Sequence, residues 1–252
     1  MIMMSNSSLV SYTKLSPNHS GLRKQRIDTI TPHCVVGHLS LLTLGNVFAS
    51  NSRGASSNYG IDDQGHVGMY VEEKNRSWCT SSNSNDQRAV TIEIASDITT
   101  PYKITDAAMK GLIKLSADIC KRNNIPQLLW KADKSLIGKI DKQNITVHRW
   151  FANKSCPGDY IFSQLGYVAH EVNKILLPKP IVTPTKGPFT VRINTATLNY
   201  RRGPGTSHPV VGTVRKDQVF TIVEEAFGSG GSKWGKLKSG AGWISLDYCT
   251  RM

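Results

Sequence analysis

No stretch of this chain approaches the ~20 consecutive apolar residues that a bilayer-spanning helix needs. Its longest apolar runs are only a few residues, although 39% of the chain is hydrophobic. Membrane insertion is therefore not expected. Residues 1–10 carry no basic residue ahead of their weakly apolar stretch and no small-residue cleavage pattern, so no secretory signal is expected either, and synthesis in the cytoplasm is. Cysteine is sparse and scattered. The five thiols, Cys34, Cys79, Cys120, Cys156 and Cys249, are odd in number and include no Cys-x-x-Cys pair. This pattern does not read as a disulfide framework, and a reduced compartment fits better.

Acidic residues are also in short supply, 18 against 31 basic ones, giving a net charge of +13. A surplus of this size calls for an anionic partner. Nucleic acid, an anionic membrane surface and the teichoic-acid-bearing wall of a Gram-positive bacterium all qualify. The charge is spread along the chain: 20 basic against 14 acidic residues up to residue 177, two basic residues in 178–187, and nine against four thereafter. This distribution argues against a single basic arm specific for nucleic acid and for a generally anionic surrounding.

A length of 252 residues suits two domains. The composition breaks where Pro178, Pro180, Pro184 and Pro188 crowd a short span. Prolines at this density deny the backbone regular hydrogen bonding and favour a semi-rigid spacer. The predicted organisation is a first domain over residues 1–177, a linker over 178–187 and a second domain over 188–252.

In the first domain, strands are predicted over residues 28–36 and 89–95, where Val90, Ile92 and Ile94 alternate with Thr91 and Glu93, and a short one over 145–148. Thr105 reads as the cap of a helix running to about Arg122. A second helix opens at Asp159 and carries an apolar stripe through Ile161, Leu165, Val168, Val172 and Leu176. This alternation predicts an α/β layer domain with a mixed central sheet flanked by helices. Beyond the linker no helical period survives. Short apolar runs at 191–194, 210–214, 219–223, 234–237 and 243–245, separated by turn residues, predict a small all-β barrel.

The informative stretch for chemistry is His148-Arg-Trp-Phe-Ala-Asn-Lys154-Ser-Cys156-Pro-Gly158. A histidine at a strand end and a cysteine just before a helix are two ligands of the kinds zinc prefers. The helix N-terminus should also favour a thiolate at Cys156. His33, inside a predicted strand, is the best third ligand, with His38, His66 and Cys34 as competitors. Three protein ligands leave a fourth tetrahedral position for water, the catalytic arrangement. Glu93 interrupts an otherwise apolar strand. It either faces solvent on a one-sided sheet or is buried and used, in which case burial would lift its pKa toward that of a working base. Trp78 precedes a polar run and reads as a groove aromatic able to stack on sugar faces. Trp130 and Trp150 read as core.

Residues 29–176 resemble the zinc-dependent N-acetylmuramoyl-L-alanine amidases, within the superfamily of phage lysozymes and peptidoglycan-recognition proteins. The resemblance rests on Ile30-Thr-Pro-His33, Ser57-Asn-Tyr59-Gly-Ile-Asp-Asp-Gln-Gly65, Ala89-Val-Thr-Ile-Glu93 and the run from His148 to Gly158. It implies one zinc ion per chain held by His33, His148 and Cys156, Glu93 as the catalytic acid or base, Lys154 as the lysine assisting catalysis, and Tyr59 as a tyrosine beside the metal. The chain departs from the pattern at Cys34, where a second histidine or an aromatic is common, and at Asn58, which stands where many members have histidine.

Ala196-Thr-Leu-Asn-Tyr-Arg-Arg-Gly-Pro-Gly-Thr-Ser, Trp234-Gly-Lys-Leu and Gly242-Trp-Ile-Ser resemble a bacterial SH3 domain. That likeness implies attachment to the cell wall, with Tyr200, Arg201, Arg202 and Trp243 as candidate contacts. Together the two resemblances imply a phage-type endolysin or bacterial autolysin. It would cut peptidoglycan between N-acetylmuramic acid and L-alanine, and would reach the wall after release. A non-hydrolytic recognition protein and a zinc endopeptidase of the peptide stem are the alternatives.

Overall fold

Two eight-residue strands, Thr29–Val36 and Ala89–Ser96, run parallel at the heart of the first unit, and their side chains alternate in character as their sequences do. Ile30, Cys34, Val90, Ile92 and Ile94 enter the main apolar core. Thr31, His33, Thr91 and Glu93 point to the other face, since neighbours along a strand face opposite sides. This split gives the sheet one face for packing and one for polar chemistry.

The computed structural model describes residues 6–177, 181–183, 187–228 and 232–252. Two units are present, Met1–Leu177 and Pro178–Met252. The strands of the first are β1 (Val10–Thr13), β2 (His19–Leu22), β3 (Thr29–Val36), β4 (Tyr59–Ile61), β5 (Val67–Met69), β6 (Asn75–Ser77) and β7 (Ala89–Ser96). Its helices are α1 (Leu41–Phe48), α2 (Asn83–Arg88), α3 (Asp106–Arg122) and α4 (Gly158–Leu176). The central sheet has the order β1-β5-β4-β7-β3, parallel except where β4 meets β5, while β2 and β6 form a separate ribbon.

On the apolar face, α3 and α4 bury Leu112, Leu115, Ile119, Ile161, Leu165 and Val168 against the sheet. The Thr105 side chain accepts from the Ala108 amide at 3.0 Å and caps α3 as the sequence predicts. Helix α4 starts at Gly158, one residue ahead of expectation. Over part of the polar face, α1 packs Leu44 and Phe48 against Tyr70. Gly60 makes that approach possible, because a Cβ there would lie 2.3 Å from Leu44 Cδ2. The strand predicted at 145–148 reduces to a single bridge, Ile145 to Ile30, and His148 sits instead in a 3-10 turn with Trp150. Trp130 and Trp150 stack at 5.3 Å, half-buried against the core.

The second unit is all β. It contains β8 (Ile181–Thr183), β9 (Phe189–Ile193), β10 (Thr197–Arg201), β11 (Val210–Arg215), β12 (Val219–Phe227), β13 (Lys233–Leu237), β14 (Trp243–Ser245) and β15 (Cys249–Arg251). The order is β11-β10-β14-β13-β12-β9-β15, antiparallel throughout, around a core of Val191, Ile193, Ile222, Leu237 and Ile244. Part of the span expected as a linker is strand: β8 pairs with β12, from Ile181 opposite Phe227 to Thr183 opposite Glu225. Ile181, Val182 and Thr183 form a proline-free triplet between Pro180 and Pro184, so their amides are free to join a ladder. The rest of 178–186 lies outside the described residues. Among the described residues no helix is long and apolar enough to cross a membrane.

Candidate metal centre

His33 and Glu93 occupy facing positions in the β3–β7 register, so one ladder rung places both on the polar face. His33 Nδ1 lies 3.9 Å from Glu93 Oε1 and 3.2 Å from Cys156 Sγ. His148 stands alongside, its ring centroid 5.1 Å from that of His33. One ligand atom each from His33, His148 and Cys156 can be chosen so that all three lie within 4.8 Å of one another.

The loops that bring these residues in are held by buried hydrogen bonds. Thr31 and Thr146 hydroxyls lie 2.7 Å apart, and Asn85 of α2 donates to Thr31 and accepts from Thr146. That network fixes the segment leading into His148. Asp86 accepts from the amides of Cys79 and Thr80, both at 3.1 Å, and from the Thr80 hydroxyl, fixing the segment after Trp78.

Electrostatics at the site fit a cation. His33 is fully buried, and burial with the neighbouring His148 lowers its pKa to about 3. Burial lowers that of His148 as well. Both rings are therefore neutral at neutral pH, with a lone pair to give. Burial also lifts the Glu93 carboxyl to about 7. Cys156 departs from expectation: contact with Cys34 and burial push its thiol up. Three buried polar atoms here, His33 Nε2, His148 Nε2 and Glu93 Oε2, lack any hydrogen-bond partner. Such orphans are rare in native interiors, and a metal site accounts for a cluster of them. Two imidazoles and a thiol are also the donor set zinc favours.

A second group the sequence did not suggest, His33, Cys79 and Glu93, meets the same distance criterion. Cys79 Sγ donates to Glu93 Oε1 at 3.8 Å. Both groups need His33, so together they admit one ion. Of the competitors, His38 pairs with Asp63 and Asp97 at the surface and His66 with Asp62. Cys34 is directed to the opposite sheet face, where it meets Cys156 from the side of the core.

The site opens into a cleft of about 330 Å³ lined by Trp78, Cys79, Glu93, His148 and Lys154, with Arg53 and Arg76 on its walls. Trp78 is half-buried and its indole donates to Ser20 at 2.7 Å. Arg53 and Arg76 escaped sequence reasoning, because nothing local distinguishes a cleft arginine from a surface one. Tyr59 is not brought to the centre. It faces Ile92 rather than Glu93 and so lies on the core side of the sheet, where its hydroxyl donates to Glu73 at 2.6 Å. Glu73 is fully buried and paired with Arg122. Tyr59→Phe is accordingly expected to lower thermal stability by about 1 kcal/mol and to leave metal content and turnover unchanged; a drop in turnover at equal metal content would put Tyr59 back at the site.

In the second unit, Arg201 lines a cleft of about 350 Å³ with Trp234 and Tyr248, and also donates to the His208 carbonyl. Trp243 is core instead, buried with Ala226 and Trp234. Tyr200 packs on the apolar cluster, and Arg202 is exposed away from the cleft. Trp234 and Tyr248 were not anticipated as cleft residues.

Two opposed shifts make the metal-free protein sensitive to pH. The Glu93 carboxyl titrates at about 7 when folded against 4.5 in the free side chain, so its contribution to stability is complete below 4.5 and is lost as pH rises through 7. His33, lowered from 6.5 to about 3, contributes fully above 6.5 and loses that contribution as pH falls toward 3. Metal-free Glu93→Gln should therefore be more stable than the metal-free parent at about pH 8, by up to about 3 kcal/mol, with the gap closing toward about pH 4. Denaturant melts of the two proteins at both pH values measure this, and a gap independent of pH would contradict it.

The N-acetylmuramoyl-L-alanine amidase family profile matches residues 23–159, more than half of the chain. The chain belongs to that family and is an enzyme of that class. Among solved structures it is similar to PlyL, at 14% identity over 64% of this chain and 95% of that one, with a TM-score of 0.48. It is also similar to an AmpD derivative, at 16% identity over 67% and 99%, with a TM-score of 0.48. An endolysin amidase, LysCS, from Clostridium intestinale URNW is 16% identical over 64% and 97%, with a TM-score of 0.43. A comparison with curated protein sequences finds no match.

Proposed function

We propose that this amidase is a zinc-dependent peptidoglycan hydrolase of the endolysin or autolysin kind, cutting the amide between N-acetylmuramic acid and L-alanine. The observation that carries the reading is the meeting of His33, His148 and Cys156 beside Glu93 in one cleft, with unpartnered polar atoms on both histidines and on the carboxylate. His33, His148 and Cys156 would hold the ion. Bound zinc supplies Lewis acidity toward water and toward the amide carbonyl oxygen.

The chain's own residues carry the protons and the charge. Glu93 accepts the proton of the attacking water at Oε2, the oxygen left free when Cys79 engages Oε1, and returns it to the departing amide nitrogen. Lys154, on the wall of the same cleft, offers an ammonium to the negative charge growing on the carbonyl oxygen. Trp78 and Phe48 wall the cleft with apolar surface, which strengthens both interactions by thinning the water around them.

Digestion of purified wall tests this reading. The amidase reaction creates new amino-terminal L-alanine and a free lactyl carboxyl on muramic acid. New amino termini of other residues would point to an endopeptidase, and no new termini at all to a recognition protein.

The second unit is proposed as a bacterial SH3 module that holds the enzyme on the anionic wall, raising its local concentration at an insoluble substrate. Its sequence motifs, its antiparallel sheet and the cleft with Arg201 support this. Truncation after Leu177 should spare cleavage of a small soluble muropeptide and weaken lysis of whole cells. The loss should be largest at moderate salt, where non-specific attraction between a basic protein and the wall is already screened. Turbidity assays across a salt series measure it; equal lysis by both forms would remove wall targeting from the second unit.

A further inference from the structure

The walls of the first-unit cleft carry three cations, Arg53, Arg76 and Lys154, and none has an ion-pair partner among the described residues. The two acids in the same cleft do not balance them. Asp86 is buried and its oxygens are taken by Cys79 and Thr80, while Glu93, which feels the charge of Arg53 without forming an ion pair with it, faces His33. Arg76 adds a sharper sign, because its Nε is buried without any hydrogen-bond partner. A guanidinium has five N–H donors and no way to discharge, so with Nε already unsatisfied inside, the remaining donors of this cleft-lining side chain are the ones that can meet an oxyanion arriving from solvent. Arg53 is placed by its own turn: the Ser50 side chain caps the Asn51–Arg53 3-10 helix, and Gly54 closes it in a left-handed conformation with φ 60°.

Resting on the amidase reading above, we infer that Arg53 and Arg76 bind a free carboxylate on the peptide stem next to the cleaved bond, so that the enzyme selects acidic stems over amidated ones. The chemistry of the stem offers such a group. Its second residue is a glutamate joined onward through its side chain, which leaves the α-carboxyl either free or converted to a neutral amide, depending on the wall. A carboxylate accepts from an arginine fork in two parallel bonds, whereas an amide offers one oxygen and no charge. Lys154, with a single point charge and a place in the reaction itself, is less suited to tell the two apart.

The test uses the full-length zinc-loaded protein and two soluble muramoyl peptides that differ only in this carboxyl, free acid or amide, at one ionic strength. The parent protein should cleave the acid with kcat/KM higher by roughly tenfold to a hundredfold, the range expected for a hydrogen bond to a charged group. Arg76→Gln and Arg53→Gln should each lower cleavage of the acid and leave the amide nearly unchanged, so that the preference shrinks. Equal rates on the two substrates in the parent overturn the inference while the amidase reading stands, and this comparison needs no variant to fold. Variants that lose both substrates in equal proportion overturn it too. Cleavage of neither peptide at the muramoyl–alanine bond overturns the amidase reading and takes this inference with it.

Discussion

Replacing Glu93 with glutamine is expected to slow cleavage of a soluble muropeptide by roughly 10²- to 10⁴-fold, the span typical of losing a general base. Glutamine is nearly isosteric with glutamate, and its carbonyl can still accept from the Cys79 thiol as Oε1 does. The β3–β7 rung that sets its place is made by backbone and does not depend on the side chain. Fold and zinc content should therefore persist, and the loss should fall on turnover. What the amide cannot do is take a proton. Rates measured beside zinc content on the same preparation separate the two effects, and a parental rate in the variant would mean that water is activated elsewhere.

Removing ligands should act on metal first and on rate as a consequence. His33→Ala is expected to empty the chain of zinc, because both candidate groups depend on that ring. Cys156→Ala should behave differently: Cys79 and Glu93 can still hold an ion with His33, but more weakly and at the expense of the base. Weakening beyond ~100-fold is expected, since loss even of outer-shell partners commonly costs 10- to 100-fold. Turnover should vanish in both. Elemental analysis of the purified variants measures this, and full occupancy in a protein lacking both His33 and Cys156 would overturn the ligand assignment.

The central strands and long helices were legible because their signals are local. Alternating residues in 89–96 and the capped apolar stripe of 106–122 each state their own structure. Helix α1 was not, since Leu-Leu-Thr-Leu-Gly-Asn-Val-Phe is short, apolar nearly throughout and interrupted by glycine. At the site, spacing pointed to His148 and Cys156, and the side on which Glu93 falls follows from its rung with His33, which only strand pairing reveals. Tyr59 shows the opposite failure. Its motif put it near the metal, yet a one-residue offset from Gly60 sends its ring through to the core side. Cys79 carried no legible signal, because its meeting with Glu93 depends on how Asp86 folds the preceding loop.

The placement of His33 and Glu93 on one rung has an evolutionary reach. Their separation is a property of the backbone ladder, whose strand spacing of ~4.8 Å does not vary with sequence. Arg53 stands on a 3-10 turn, Arg76 on β6 of the separate two-stranded ribbon and Trp78 just after it, all outside the central ladder. Mutation can therefore redraw the cleft wall while the interval between His33 and Glu93 stays where the sheet puts it.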